Sequence, residues 1–326
     1  MESAKSLLAC LLSPALRLLD PNEPICLLNL VGGFAVAGFF VLASSSSRNA
    51  QAVGAAARAL FPKGALTSPS SLLDIRIYAI NSVLSAAALN AWILGANRWR
   101  DWIASFTGAV FGEPYASTLP HWATRTAATV GLALAFEFGY YIAHWASHRV
   151  PALWRFHRMH HSANVLTPLT GVREHPVDTL LFGSLIGLSQ GAFAALLAYP
   201  LGRGVDAYLI LQTNVLIFGY ALTLESLRHT HLWLPFTGLA GRVFQSPAHH
   251  QLHHSRDPAH YDSNFGFSLA IFDWLGGTLL MPKPHERPQF GLVDALPNPS
   301  VHDFYFGPLE LSPAQLKASQ DVDLSR

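Results

Sequence analysis

Charge is scarce in this sequence. Asp, Glu, Lys and Arg make up 13% of 326 residues, against 51% hydrophobic residues and a mean hydropathy of +0.28. A soluble domain carries about a quarter charged residues, so an ordinary solvated surface is excluded and membrane residence is the better expectation. The formal net charge of +1 offers no basic excess for nucleic acid. Cysteine is scarcer still. Cys10 and Cys26 fit neither a C-x-x-C nor a zinc-finger spacing, which argues against a disulfide framework and leaves two reduced packing residues. No G-x-G-x-x-G fingerprint occurs, so the chain is not expected to bind its own nicotinamide. A single lysine and the short run Leu7–Leu12, ending at Ser13-Pro14, make a poor secretory signal. Residues 1–24 read instead as an interfacial or lumen-side lead-in.

What is present is a series of uncharged runs. Ile25–Ala43 is long enough, at about 1.5 Å per residue, to cross a hydrocarbon core of about 30 Å. Ser44–Ser47 and Arg48 close it, and residues 48–71, with Arg48, Arg58 and Lys63, read as a water-side linker. A second run, Ile77–Leu94, is interrupted by Asn81 and Asn90 and closed by Arg98, Arg100 and Asp101. Residues 95–120 read as an irregular loop with an interfacial aromatic set, Trp99, Trp102, Phe106 and Phe111. Thr126–Ala143 is a third span, carrying Glu137. Thr179–Tyr199 and Ala207–Leu224 are a fourth and fifth, joined by the short Pro200–Asp206 in the manner of a helical hairpin. After Pro282 the chain is polar and proline-rich, with a frayed end expected beyond Pro313.

Histidine is concentrated in the second half. Thirteen of the sixteen histidines lie between positions 144 and 260, and a hairpin over 179–224 would deliver them all to one membrane face. His157-Arg-Met-His160-His161 and His250-Gln-Leu-His253-His254 repeat one spacing, with imidazoles at i, i+3 and i+4 of a helical turn. His144 and His148 add an i, i+4 pair. In the Glu225–His231 stretch His229 is the better candidate, one turn after Glu225, with His231 behind it. The metal-ligand candidates are therefore His144, His148, His157, His160, His161, His229, His250, His253 and His254. His175 precedes Pro176 and either joins them or caps the next helix. His249, His231 and Glu225 are secondary candidates. Glu137 lies on the stripe of Tyr141 and His144; it either orients a ligand imidazole or hydrogen-bonds to Tyr140 or Tyr141. His121, His285 and His302 are isolated. So many imidazoles exceed the four to six ligands of one ion, which implies two metals, and nearly all-nitrogen ligation suits a redox metal such as iron better than a carboxylate-bridged zinc pair.

In their order and flanking residues these motifs resemble the fatty acid hydroxylase/sterol desaturase superfamily of membrane di-iron oxygenases. The resemblance rests on HxxxH at 144–148, HxxHH at 157–161 and HxxHH at 250–254, together with Arg173-Glu-His-Pro176, Arg228-His-Thr-His231 and Phe272-Asp-Trp-Leu-Gly-Gly-Thr278. It covers about residues 125–282 and leaves the first part of the chain unexplained. It implies two histidine-held non-haem irons, O2 as co-substrate, and attack on an unactivated C–H bond of a sterol or fatty acyl lipid. Electrons would come from a separate b-type cytochrome or ferredoxin fed by an NAD(P)H reductase. Trp145, Trp154, Tyr261 and Trp274 are candidates to line the substrate's approach.

The expected fold is an all-α integral membrane protein of about four to five transmembrane helices. A histidine-rich helical cap on the cytosolic face would hold the dinuclear site. The expected divisions are an N-terminal region (1–120), a catalytic domain (121–285) and a polar tail (286–326). Arg149, Arg155, Arg158, Arg173, Arg228, Arg242 and Arg256 on the histidine face, against Arg203 in the hairpin turn, make that face cytoplasmic. The Ala- and Leu-rich composition favours a bacterial inner membrane, with the endoplasmic reticulum as the eukaryotic equivalent. Two other classes compete. A histidine-rich metal transporter would place ligands inside its spans, where polar residues such as Glu137, Gln190, Gln212 and Asn214 are sparse and the histidines sit at one face. A binuclear zinc hydrolase would work without O2 or reductant.

Overall fold

The computed structural model describes residues 2–43, 63–89, 93, 95–202, 206–293, 299–312 and 315–316. The linker expected over 48–71 falls outside them as far as residue 62, as do Asn90, Arg203 and most of the expected frayed end. The described chain is mostly helical. In order come α1 (Glu2–Arg17), α2 (Leu27–Ala43), α3 (Pro69–Leu84, extended by a π-helical turn Ser85–Leu89), α4 (Ala96–Phe111), α5 (His121–Arg149), α6 (Pro151–His161) and α7 (Pro176–Leu201). A small hairpin, β1 (Leu209–Ile210) with β2 (Thr213–Asn214), follows. Then α8 (Val215–Tyr220) runs through the π turn Ala221–Glu225 into α9 (Ser226–Arg228). The last elements are α10 (Gly238–Val243), α11 (Pro247–His253), α12 (Ile271–Gly276), α13 (Val301–Tyr305) and α14 (Gly307–Glu310).

Two of these, α5 with 29 residues and α7 with 26, are long and apolar enough to cross a membrane, and α2 is a shorter apolar helix. Their pairing depends on glycine. A methyl group on Gly139 of α5 would stand 2.8 Å from Ile186 Cα and 2.9 Å from Leu185 O of α7. One on Gly191 of α7 would stand 2.5 Å from Ala96 O of α4. Small residues let helix backbones meet this closely, and in lipid that contact carries much of the packing.

Three sequence expectations need correcting. Residues 96–111 form helix α4, where an irregular loop was expected. Trp102, Phe106 and Phe111 remain exposed along it. Helix α3 starts at Pro69, before Ile77, because Ser68 caps it by accepting from Ser71 N and Pro69 sits at the first helical position. The fifth run is not one helix. Leu211 and Gln212 adopt left-handed φ values of 50° and 66°, which turn the chain into a hairpin before α8 begins. Thr129 of α5 ties down this hairpin: its carbonyl oxygen accepts from Asn214 Nδ2 and its hydroxyl oxygen from Tyr208 N, each at 2.8 Å. Helix α9 nevertheless returns His229 to the other histidines.

The N-terminal helices pack onto the histidine region. Asp74 of α3 and Arg173 form a fully buried pair at 2.8 Å. Phe304 of α13 is fully buried against Leu73, Ile77 and Met159, and Tyr305 donates to Asn81 Oδ1 at 2.8 Å.

Candidate metal centre

Prolines and caps place the histidines. Pro151 cannot continue α5, so Val150 becomes extended and α6 starts in a new direction, turning His157 and His161 back toward His144 and His148. Pro247 opens α11 behind Ser246, whose side chain accepts from His249 N while His249 Nδ1 accepts from Ser246 N. That short helix carries His250 and His253, and His254 is its C-cap.

The nine primary candidates form two buried groups. His144, His148, His157, His161 and His253 make one; His160, His229, His250 and His254 make the other. Within each group the nitrogens lie within 4.8 Å of one another. The three imidazoles of an HxxHH turn therefore do not converge on one point. At about 100° per residue, i and i+4 share a direction while i+3 departs from i+4 by about 100°. His160 and His161 have rings at 89°, and His253 and His254 at 87°. Each turn thus serves both groups, and His161 stacks on His254 at 4.5 Å between them.

Outer contacts fix the ring tautomers. His144 Nδ1 donates to Phe265 O at 2.8 Å and His253 Nδ1 to Ser263 O at 2.7 Å, which leaves each Nε2 lone pair facing inward. His157 Nδ1 is 3.6 Å from Asp178 Oδ1. Arg228 Nη2 stands 2.8 Å from His250 Nδ1. Burial, reinforced by neighbouring imidazoles, holds His160, His161 and His254 well below the ordinary histidine pKa, and burial pushes His253 down to about 3. Neutral imidazoles with free lone pairs are what a metal requires.

The donor arrangement fits two ions. In the four-histidine group, Nε2 of His229 lies 2.9 Å from that of His250, 3.1 Å from that of His254 and 3.3 Å from that of His160, and the Nε2 atoms of His250 and His254 are 3.1 Å apart. Ligands about 2.1 Å from a common ion stand roughly 3.0 Å apart in an octahedron and 3.4 Å in a tetrahedron. In the five-histidine group, Nε2 of His157, His161 and His253 is buried without a hydrogen-bond partner among the described residues. Leaving such nitrogens unsatisfied is costly, and coordination removes the cost.

The secondary candidates separate from the groups. His175 caps α7, its Nδ1 accepting from Val177 N, with Nε2 3.3 Å from Tyr305 O. His249 is buried against Ser246, and His231 is exposed. Glu137 reaches no histidine, Tyr140 or Tyr141. It accepts from the Ser268 and Leu269 amides and the Ser268 hydroxyl, and so holds the loop whose Phe265 carbonyl orients His144. Trp145 and Trp274 are exposed rather than lining an approach, while Trp154 packs on His148. Three supporting residues had no structural role assigned from the sequence, although Arg173 and Asp273 lie within its motifs. Asp273 accepts from the amides of Phe265 and Gly266, Asn264 donates to His249 O, and Arg173 donates to Met159 O and Ser162 Oγ on either side of His160 and His161.

Two adjoining cavities open beside the centre. The inner one, about 70 Å³, is lined by His144, His157, His160 and His229 with Glu174, Asp178 and Glu225. The outer one, about 300 Å³, shares Tyr140, Glu174, Phe182, Glu225 and Phe267 with it and adds Phe136, Ile186 and Ile217. Burial, with Asp178 and Glu23 nearby, pushes Glu174 up to about 8.

Residues 129–278 match the family described as fatty acid hydroxylase. Ornithine lipid hydroxylase OlsE of Rhizobium tropici is 32% identical over 172 residues, 53% of this chain and 47% of its own length. Alkylglycerol monooxygenase of Caenorhabditis elegans is 28% identical over 158 residues, 48% of this chain and 28% of its own. Very-long-chain aldehyde decarbonylase GL1-1 of Oryza sativa subsp. indica is 31% identical over 186 residues, 52% of this chain and 27% of its own. The chain thus spans half or less of the length of these relatives, and no solved structure matches it significantly. The matched segment holds every member of both histidine groups, and with these relatives it puts the protein in the fatty acid hydroxylase/sterol desaturase superfamily.

Proposed function

We propose that the protein is a membrane-embedded, O2-dependent lipid oxygenase that hydroxylates or desaturates a C–H bond, with one iron held by each histidine group. The observation that carries this is the pair of buried, all-imidazole groups beside a cavity whose wall combines aromatic and aliphatic side chains with carboxylates. Bound iron would supply the O2 and redox chemistry, and the protein supplies position and dryness. Tyr140, Phe182 and Phe267 exclude water beside His144 and His157. The carbonyls of Phe265 and Ser263 and the Arg173 guanidinium keep the histidines in place. In hydroxylation one atom of O2 enters the C–H bond and the other leaves as water, with two electrons and two protons from a b-type cytochrome or ferredoxin fed by an NAD(P)H reductase. The relatives named for lipid hydroxylation and alkylglycerol monooxygenation support a lipid substrate.

In this reading α5 and α7 cross the bilayer, and the remaining apolar segments raise the number of spans to about four or five. Exposed Arg149, Arg242 and Arg256 favour a cytoplasmic centre, in a bacterial inner membrane or the endoplasmic reticulum. Arg158, Arg173 and Arg228 are buried and contribute nothing to that bias. Lipid mass spectrometry of membranes with and without the protein, in air and under anaerobic conditions, tests the function. An O2-dependent gain of oxygen or loss of two hydrogens supports it; activity without O2, by protein containing zinc alone, refutes it.

A further inference from the structure

We infer that Pro24 and Gly171 form a size gate between the two cavities, which admits the end of one unbranched hydrocarbon chain to the metals and stops ring systems outside. The inference deepens the oxygenase reading and rests on it for calling that chain a substrate. It also gives a role to the N-terminal region, since Pro24 lies outside the residues matched to the family.

Both residues line the inner and the outer cavity, so whatever passes from one to the other passes them. Gly171 stands there without a side chain. A methyl group on it would lie 3.3 Å from His229 Nδ1 and 3.5 Å from Pro24 Cβ, in the space between the N-terminal segment and a metal-ligand candidate. Tyr140, Phe182 and Phe267 line both cavities too, and the Tyr140 ring centroid is 5.1 Å from that of Phe182 and 5.2 Å from that of Phe267. Glu174 and Glu225 complete the passage. Arg228 and the histidines that would hold the metals share the inner wall with them, so their charge is met within the protein.

The gate is fixed rather than swinging. Fully buried Asn29 donates to Pro21 O at 3.0 Å and Glu23 O at 3.2 Å, and Ile25 and Cys26 are buried directly after Pro24. Thr213 donates to Asn22 Oδ1 at 2.8 Å. On the Gly171 side, Thr170 Oγ1 accepts from Thr167 N and donates to Asp74, which pins the turn Pro168–Val172.

Volume decides what such a gate passes. A benzene ring occupies an apolar protein cavity of about 150 Å³. The inner cavity measures about 70 Å³, less than half of that, and ions held by the histidines on its wall would only reduce it. A ring therefore stops in the outer cavity of about 300 Å³. A chain entering by its end needs the width of a single row of methylenes, whereas a chain entering folded needs two. Phe136, Ile186 and Ile217 would pack on the chain in the outer cavity, whose wall also carries the Arg17–Glu23 pair, Asn22 and Asn81 for its polar head.

Iron-loaded protein in nanodiscs of neutral phosphatidylcholine, kept free of O2, can be titrated calorimetrically with a straight-chain fatty alcohol and with the same alcohol ending in a cyclohexyl ring. Empty discs serve as blanks. Wild type should bind the straight chain at least about tenfold more tightly, as expected of forcing extra carbon into a packed wall. Pro24→Ala, which widens the gate, should bring that ratio close to one. Gly171→Ala, which narrows it, should weaken straight-chain binding about tenfold. Equal binding of both alcohols by wild type overturns the inference whether or not the variants fold. So does a preference that Pro24→Ala leaves unchanged, or straight-chain binding that Gly171→Ala leaves unchanged. Product analysis in air keeps the two readings apart. Straight-chain preference without any O2-dependent product sinks the oxygenase reading alone, and O2-dependent oxidation of a ring carbon sinks this one alone.

Discussion

Replacing Asp74 by alanine probes how the N-terminal helices support the centre. Asp74 Oδ1 accepts from Arg173 Nη1 at 2.8 Å and Oδ2 from Thr170 Oγ1 at 3.0 Å, with both charged side chains at 1% exposure or less. Removing one partner of a buried pair leaves an uncompensated charge and costs about 3–5 kcal/mol, an unfolding shift on the order of 10 °C. The damage should not stop at stability. Arg173 also donates to Met159 O at 3.2 Å and Ser162 Oγ at 2.9 Å, bracketing one histidine from each group, so bound iron should fall as well. Asp74→Ala/Arg173→Met removes both charges and should be more stable than Asp74→Ala alone, because no unpaired charge remains buried. Thermal unfolding and iron analysis of the purified variants provide the assay. A single variant as stable and as iron-rich as wild type refutes the reasoning, and so does a double variant whose losses simply add.

Other outcomes follow from the same geometry. Glu137→Gln turns an amide donor toward the Ser268 and Leu269 N–H groups, and should lower stability by about 1–3 kcal/mol in a melting experiment. His231→Ala should keep wild-type iron content, whereas His229→Ala should lose metal from the four-histidine group; equal losses would contradict the grouping. Acid should destabilise the metal-free protein. His253 is held at about 3, below its unfolded value near 6.5, so the unfolded chain takes the proton first. Stability is then complete above about pH 6.5 and falls below it by up to about 1.4 kcal/mol per unit for each such histidine, which unfolding between about pH 7.5 and 5.5 would reveal. A flat profile would contradict the burial of neutral imidazoles.

Much of the centre was legible because histidine spacing is local. Each i, i+4 pair, 144/148, 157/161 and 250/254, stays together in the structure. What spacing could not tell was that His160 and His253 turn to the opposite group from their pair, since that depends on where the second helix is docked. The long uncharged runs around Glu137 and Gln190 showed α5 and α7 directly. The run 207–224 misled because its residues are apolar in hairpin and helix alike, and only the backbone at Leu211 and Gln212 distinguishes them. Helix α4 was hidden by its charged first turn. The supporting residues Asp74, Asp273 and Asn264 act across long stretches of chain, a relation that no local pattern displays.

The central claim is that nine histidines hold two irons in two groups. Native mass spectrometry of protein purified from iron-supplied cells, with elemental analysis of the same sample, tests it directly. Two irons per chain are expected, with His161→Ala depleting the five-histidine group and His254→Ala the four-histidine group. One metal per chain, zinc in place of iron, or full iron content in both variants would contradict it.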